Sequence, residues 1–87
     1  MASVLITGAS TGIGRATALA FAREGASVAI GEYSAERGST AASSIQSFGE
    51  ALFVQTDVRR WEDIDRLVGD TVQRFGHLDV MVNNAGG

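Results

Sequence analysis

Four short stretches of this chain carry residue types that can do chemistry. Thr7-Gly8-Ala9-Ser10-Thr11-Gly12-Ile13-Gly14 is a glycine-rich run that follows the apolar Val4-Leu5-Ile6 and opens a helical pattern. Glu32, Asp57 and the pair Asn83-Asn84 each close an apolar run further along. A glycine turn leading into a helix brings bare backbone and free N–H groups close to a ligand. The helix N-terminus adds the positive end of its dipole, which suits a phosphate. Carboxylates at 32 and 57 can accept hydrogen bonds from hydroxyl or amino groups. A phosphate-binding P-loop is excluded, because it needs Gly-Lys-Ser/Thr after its glycines and the seven cations here are all Arg. With no Cys there is neither a disulfide framework nor thiolate chemistry.

The elements that must position these groups are legible from periodicity. Val4 to Thr7 is apolar on both faces, as a strand buried between helix layers should be. A helix from about Gly12 to Glu24 follows, with Ile13, Thr17, Ala20 and Phe21 as its expected inner face and Gly25 as its stop. Ser27 to Ile30 is a second strand, and Gly31-Glu32-Tyr33-Ser34 is the turn out of it. Ser34 is an N-cap for a helix from about Ala35 to Phe48, ended by Gly49, with Ala41, Ala42, Ile45 and Phe48 facing inward. Ala51 to Gln55 is the third strand. The third helix carries Ile64, Leu67, Val68, Thr71, Val72 and Phe75 on one face, has Glu62 and Asp63 in its first turn, and stops at Gly76. Leu78 to Val82 is the fourth strand.

Alternating strands and helices imply a parallel sheet with right-handed crossovers. The expected fold class is therefore α/β, Rossmann-type and three-layered. It has four parallel strands in the order 3-2-1-4 and three helices, forming an incomplete N-terminal part of one domain over residues 1–87. In such a sheet the glycine turn, Glu32, Asp57 and Asn83-Asn84 all fall on the carboxyl edge, where these sheets bind ligands. A net charge of −3 argues against a nucleic-acid partner. No apolar run is long enough to span a membrane, and no basic, apolar leader opens the chain, so a cytoplasmic protein is expected.

The spacing Gly8-x-x-x-Gly12-x-Gly14 departs from the usual G-x-G-x-x-G. It resembles the TGxxxGxG fingerprint of the short-chain dehydrogenase/reductase family. Asp57-Val58 is similar to that family's adenine-side pair, and Asn83-Asn84-Ala85-Gly86 to its NNAG motif. The resemblance covers the whole chain and points to the shorter, single-domain branch. It implies that Gly8, Ser10, Thr11, Gly12, Ile13 and Gly14 line the pyrophosphate and adenosine ribose of a dinucleotide. Two roles are open to Ser10: donor to phosphate or ribose, or plain turn residue. Glu32 stands 18 residues after Gly14, near the spacing of an acid that takes the ribose 2′-hydroxyl and repels a 2′-phosphate. NAD(H) is accordingly expected in preference to NADP(H), with an ordinary exposed Glu as the plainer reading. Tyr33 and Thr11 stand where NADP-preferring relatives carry basic residues.

By the same resemblance, Asp57 binds the adenine amino group with the Val58 backbone beside it. Capping the third helix is an equal local alternative for Asp57. The family usually follows this pair with Ser, Thr or Asp, and Arg59-Arg60 here is expected to deprive the third helix of a cap. Asn84, with Asn83, either anchors the fourth strand or approaches the nicotinamide ribose.

Hydride transfer in the family uses a Ser and a Tyr-x-x-x-Lys pair that come after the fourth strand. Tyr33-x-x-x-Arg37 mimics the pair but lies at the adenosine end. His77, the single His, belongs to the amino edge, and Trp61 is expected to be partly buried. No catalytic or metal-binding residue is therefore expected within residues 1–87, and the chain by itself is expected to be inactive. It reads as the cofactor-binding part of an oxidoreductase whose full-length form is a homo-oligomer acting on a small alcohol or ketone. The alternative is a stand-alone nucleotide-binding or regulatory module.

Overall fold

The computed structural model describes residues 1–84. Its elements are β1 (Ser3–Thr7), α1 (Gly12–Arg23), β2 (Ser27–Glu32), α2 (Ala35–Gln46), β3 (Ala51–Gln55), α3 (Trp61–Phe75) and β4 (Val80–Asn83). All strand pairings are parallel, in the order β3-β2-β1-β4. The expected α/β, three-layer arrangement is therefore present.

Alternation along β1 divides the core. Val4 and Ile6 join Ala18 and Ala22 of α1, Val28 and Ile30 of β2, and Ala41, Ala42 and Ile45 of α2. Leu5 points the other way, into a smaller cluster with Ala29, Val54 and Leu67 of α3. One face of the sheet thus carries α1 and α2 and the other carries α3. This arrangement explains why β1 is apolar at successive positions and wholly buried.

The inner face of α1 differs from expectation, while in α2 Ala41, Ala42 and Ile45 are buried as expected and Phe48 alone departs. The buried stripe of α1 is Gly14, Ala18 and Ala22, while Ile13 is 78% exposed and Ala20 is exposed too. A Cβ on Gly14 would lie 2.2 Å from the Gly8 carbonyl oxygen, so α1 approaches β1 too closely for a large residue. The stripe of smallest residues, not of largest, faces inward. In α2 the same holds for Gly38, whose Cβ would strike the Phe53 ring at 2.0 Å. That helix ends at Gln46, before Phe48, and Gly49 is not among the glycines with positive φ. Phe48 lies outside the helix with the Arg23 guanidinium 5.4 Å from its ring centroid.

Other boundaries shift for local reasons. Gly25 and Gly76 do stop α1 and α3, at φ of 92° and 88°. Ser34 caps α2 by accepting the Arg37 N–H at 3.2 Å. α3 begins at Trp61 with Arg60 as an N-cap lacking any side-chain cap bond. Trp61 is 76% exposed rather than partly buried, and Val72 is exposed on the rim of α3. β2 runs on to Glu32, which is paired with Gln55 in β3. β4 starts at Val80, and the Asp79 N–H just before it donates to the Ser3 carbonyl of β1 at 2.9 Å. No helix among the described residues is long and apolar enough to cross a membrane.

The two kinds of helical glycine predict opposite outcomes. Gly14→Ala adds a methyl into backbone and should cost about 1–3 kcal/mol. Gly69→Ala, in open space on α3, should gain about 1 kcal/mol from helix propensity. Urea unfolding of both variants checks this; equal effects would refute the close-packing account.

Candidate functional site

The register brings the ends of three strands level. Thr7 pairs with Gly31 on one side and Asn83 on the other. Gly8, at φ 69°, then turns the chain out of β1, and Gly12, at φ 60°, turns it into α1. Both conformations are costly for any residue with a Cβ. The turn is tied on both flanks: Gly8 N–H donates to the Gly31 carbonyl at 3.0 Å, and Asn84 Nδ2 donates to the Gly8 carbonyl at 3.2 Å. Thr7 Oγ1 donates to Asn83 Oδ1 at 3.1 Å and accepts the Asn84 N–H at 3.1 Å. Asn83 and Asn84 therefore anchor β4 to the glycine turn, the first of the two roles open to them. Ala85 and Gly86 of the motif lie outside the described residues.

Thr11, the N-cap of α1, is exposed and makes no side-chain cap bond. Among the described residues the first-turn N–H groups of α1 have no side-chain cap, and no acid stands in that turn. A cradle that excludes Cβ atoms at Gly14 and leads into an uncapped helix start fits a phosphate.

Ser10 and Glu32 meet above this turn. Ser10 Oγ donates to Glu32 Oε1, and the Tyr33 N–H donates to Glu32 Oε2 at 2.8 Å. Of the partners open to Ser10 from its sequence position, none is the Glu32 carboxylate that its hydroxyl meets in the fold. Tyr33 is held in turn by Gln55 Nε2, which donates to its carbonyl at 3.0 Å. The residue's ring is exposed. A cavity of about 340 Å³ opens between Glu32 and Tyr33 on one side and Asp57, Val58 and Arg59 on the other.

Asp57 does not cap α3. Its carboxylate is gripped by Arg59, whose Nε donates to Oδ1 and Nη2 to Oδ2, both at 3.0 Å, while the Arg59 backbone N–H also reaches Oδ1 at 3.0 Å. These Arg59 hydrogen bonds hold the Asp57 carboxyl below the usual carboxylate range, and Asp57 raises Arg59 in return. The Asp57 N–H is taken by Asp63 Oδ2 at 2.9 Å, so an acid of the first turn of α3 reaches back to fix the loop. Sequence reading missed the Arg59 grip. The signal was present in Asp-x-Arg, since an Asp followed two residues on by a donor commonly closes an Asx-type turn.

The remaining candidates lie elsewhere. His77 Nε2 is 2.9 Å from Asp79 Oδ2 and 3.1 Å from the Met1 carbonyl, at the amino edge of the sheet. Arg15 and Arg37 line a cavity of about 170 Å³ beside Ser10 and Thr11, between residues of α1 and α2. A larger cavity, about 470 Å³, lies along β3 and α3 between Gln55, Asp57, Arg60, Asp63 and Arg66, and the glycine turn takes no part in it.

Two outcomes follow from this geometry. Thr7→Val removes both hydrogen bonds of the buried Thr7 hydroxyl to the exposed Asn83 and Asn84 and should cost about 1–2 kcal/mol. Hydrogen exchange at the Asn84 amide should quicken with it. The Asp57 carboxyl, lowered in the fold, stabilises the loop above the ordinary carboxyl range, and that contribution disappears as pH falls through its lowered value. Carboxyl ¹³C titration should place Asp57 below a free Asp and return it upward in Arg59→Gln; an unchanged value would refute the grip.

Known proteins bear on this site. The sequence profile of the short chain dehydrogenase family matches residues 2–87. An uncharacterized oxidoreductase of Thermotoga maritima is 49% identical over 84 residues, covering 95% of this chain and 33% of that protein. The 3-ketoacyl-(acyl-carrier-protein) reductase of Brucella melitensis, solved with NADH, superposes at a TM-score of 0.90 with 37% identity, over 98% of this chain and 34% of its own. L-sorbose reductase of Gluconobacter frateurii, solved with NADPH and L-sorbose, superposes at 0.92 with 39% identity, over 99% and 34%. The chain spans about a third of the length of these relatives. A match that takes in the glycine turn, the Asp57 loop and the Asn83-Asn84 anchor means that this chain belongs to the short chain dehydrogenase family.

Proposed function

We propose that residues 1–87 are the N-terminal, cofactor-binding part of an oxidoreductase that moves hydride between NAD(H) and a small alcohol or ketone. The observation that carries this is the fixed Glu32 carboxylate, held by Ser10 Oγ and the Tyr33 N–H beside the glycine turn. A ribose diol can donate to the remaining lone pairs of such a carboxylate, while a 2′-phosphate meets a like charge. Gly8, Gly12, Ile13 and Gly14, with Ser10 and Thr11 beside them, would hold the pyrophosphate and adjoining ribose. Asp57 and Val58 would take the adenine, and Asn84 keeps the turn in place. NAD(H), when bound, supplies the hydride. The residues here orient its adenosine end.

Proton transfer at the substrate would fall to Ser, Tyr and Lys side chains, and these 87 residues include no Lys. The chain by itself should therefore bind cofactor without oxidising alcohols. By family likeness, the full-length enzyme would be a cytoplasmic homo-oligomer. A stand-alone binding module has less support, since both dinucleotide-bound relatives are named as reductases. One observation favours NADP(H) instead: Arg15 and Arg37 share the cavity beside Ser10, within the reach of a 2′-phosphate on that side.

Titrating both cofactors by calorimetry decides between the two. NAD should bind more tightly than NADP, and Glu32→Ser should weaken NAD about tenfold while relieving the exclusion of NADP, the scale of one charge-assisted hydrogen bond. Tighter NADP binding by the unaltered chain would overturn the assignment in favour of Arg15 and Arg37.

A further inference from the structure

We propose that Arg59 is a positioning residue for the Asp57 carboxylate and, through it, makes this site select a 6-aminopurine nucleotide over a 6-oxopurine one. The inference rests on the dinucleotide reading above and adds a residue that the family resemblance does not supply. It starts from a count of lone pairs. An ionised carboxylate offers about four acceptor directions, two on each oxygen. Arg59 uses both on Oδ1, through its backbone N–H and Nε, and one on Oδ2, through Nη2, all at 3.0 Å. Among the described residues nothing else donates to the Asp57 carboxylate, since the Arg60 N–H goes to the Asp57 backbone carbonyl at 2.9 Å, so a single acceptor direction is left on Oδ2.

That direction belongs to a carboxylate bordering the 340 Å³ cavity, whose other side is Glu32 and Tyr33. A planar base entering from the glycine turn with its ribose at Glu32 would present its 6-position to Asp57. An exocyclic amino group donates one N–H to the remaining lone pair. A 6-oxo group has only lone pairs to offer, and the ionised carboxylate has no proton to meet them. Discrimination therefore needs two conditions, a fixed carboxylate orientation and an ionised carboxylate. The Arg59 fork supplies both: bidentate geometry locks the carboxyl plane, and a permanent cation keeps it charged. The Asp57 side chain is 16% exposed and that of Arg59 79%, so the acid is mostly covered while its partner stays largely in solvent. Exposed ion pairs generally contribute little, but a bidentate Arg–carboxylate pair is the geometry in which they do. Here its effect is on what the carboxylate can accept, not on the stability of the fold.

The experiment compares NAD with nicotinamide hypoxanthine dinucleotide, which carries a 6-oxo group and a proton on N1 in place of the 6-amino group and bare N1, on the chain and on Arg59→Gln and Arg59→Lys. Because the Arg59 side chain lies outside the core, these variants should fold as the parent does, which circular dichroism checks. The parent should prefer NAD. In Arg59→Gln the preference should fall about threefold to tenfold, with Arg59→Lys intermediate because a point charge lacks the fork. The preference should also collapse at a higher pH in Arg59→Gln than in the parent, a shift that a merely structural Arg59 would not produce. A preference and pH profile unchanged in Arg59→Gln would overturn this proposal alone. Tighter NAD binding by Arg59→Gln would also overturn it, by showing that Arg59 competes with the base. Binding of neither dinucleotide by the parent would overturn the cofactor reading, and this one with it.

Discussion

The structure depends on one close approach, that of the Gly8 carbonyl to the bare Cα of Gly14. There is no room for a methyl group between them. Because β1 and α1 meet so tightly, the start of α1 sits directly over the end of the central strand. The stripe below that contact must stay small, and Ala18 and Ala22 continue it into the core. The Asn84 side chain closes on the same carbonyl from the β4 side. One steric constraint therefore sets the helix's distance, its inward face and the place where its N–H groups emerge.

The site built on that contact balances opposite charges over a short span. The helix start contributes the positive end of a dipole and no acid of its own. Glu32 and Asp57 contribute negative charge at separate strand ends. Each carboxylate is already oriented by donors from its own loop, Ser10 and Tyr33 for one and Arg59 for the other. Orienting these groups in advance reduces the rotamer freedom that a ligand would otherwise have to freeze.

Much of this was legible in the residues. The strands announced themselves by apolar runs, and Gly25 and Gly76 marked helix ends because few other residues accept their φ values. Gly8, Glu32, Asp57 and Asn84 were recognisable as one edge, because strand ends in a parallel sheet must gather there. The inner face of α1 was not legible from hydrophobicity, whereas Ala41, Ala42 and Ile45 of α2 lie buried as their spacing implies. Ile13 is larger than Gly14, yet α1 comes so close to the glycine turn that only the small residue fits beneath, and Phe48 lies out because α2 ends before it. Periodicity reports which residues are apolar, and the gap between layers decides which of them go inside. The Ser10–Glu32 and Asp57–Arg59 pairings were hidden for a different reason. Each depends on side-chain orientation after the loops have closed, which spacing alone does not specify.

β4 joins the sheet beside β1, and their pairing spans a long stretch of chain. Val4 pairs with Val28 across 24 positions and with Val80 across 76. Closing the longer loop costs about 1 kcal/mol more in chain entropy than closing the shorter one. Contacts at both ends of the strand help to offset that cost, Asp79 to the Ser3 N–H at one end and Asn84 to Thr7 at the other. In time, the same distance acts as a delay. As the polypeptide leaves the ribosome, β1 can pair with β2 early, but its other flank stays bare until more than fifty further residues have been made. Of these four strands, β1 is thus made before the others and enclosed last. That interval is when a chaperone or a neighbouring nascent chain has access to it.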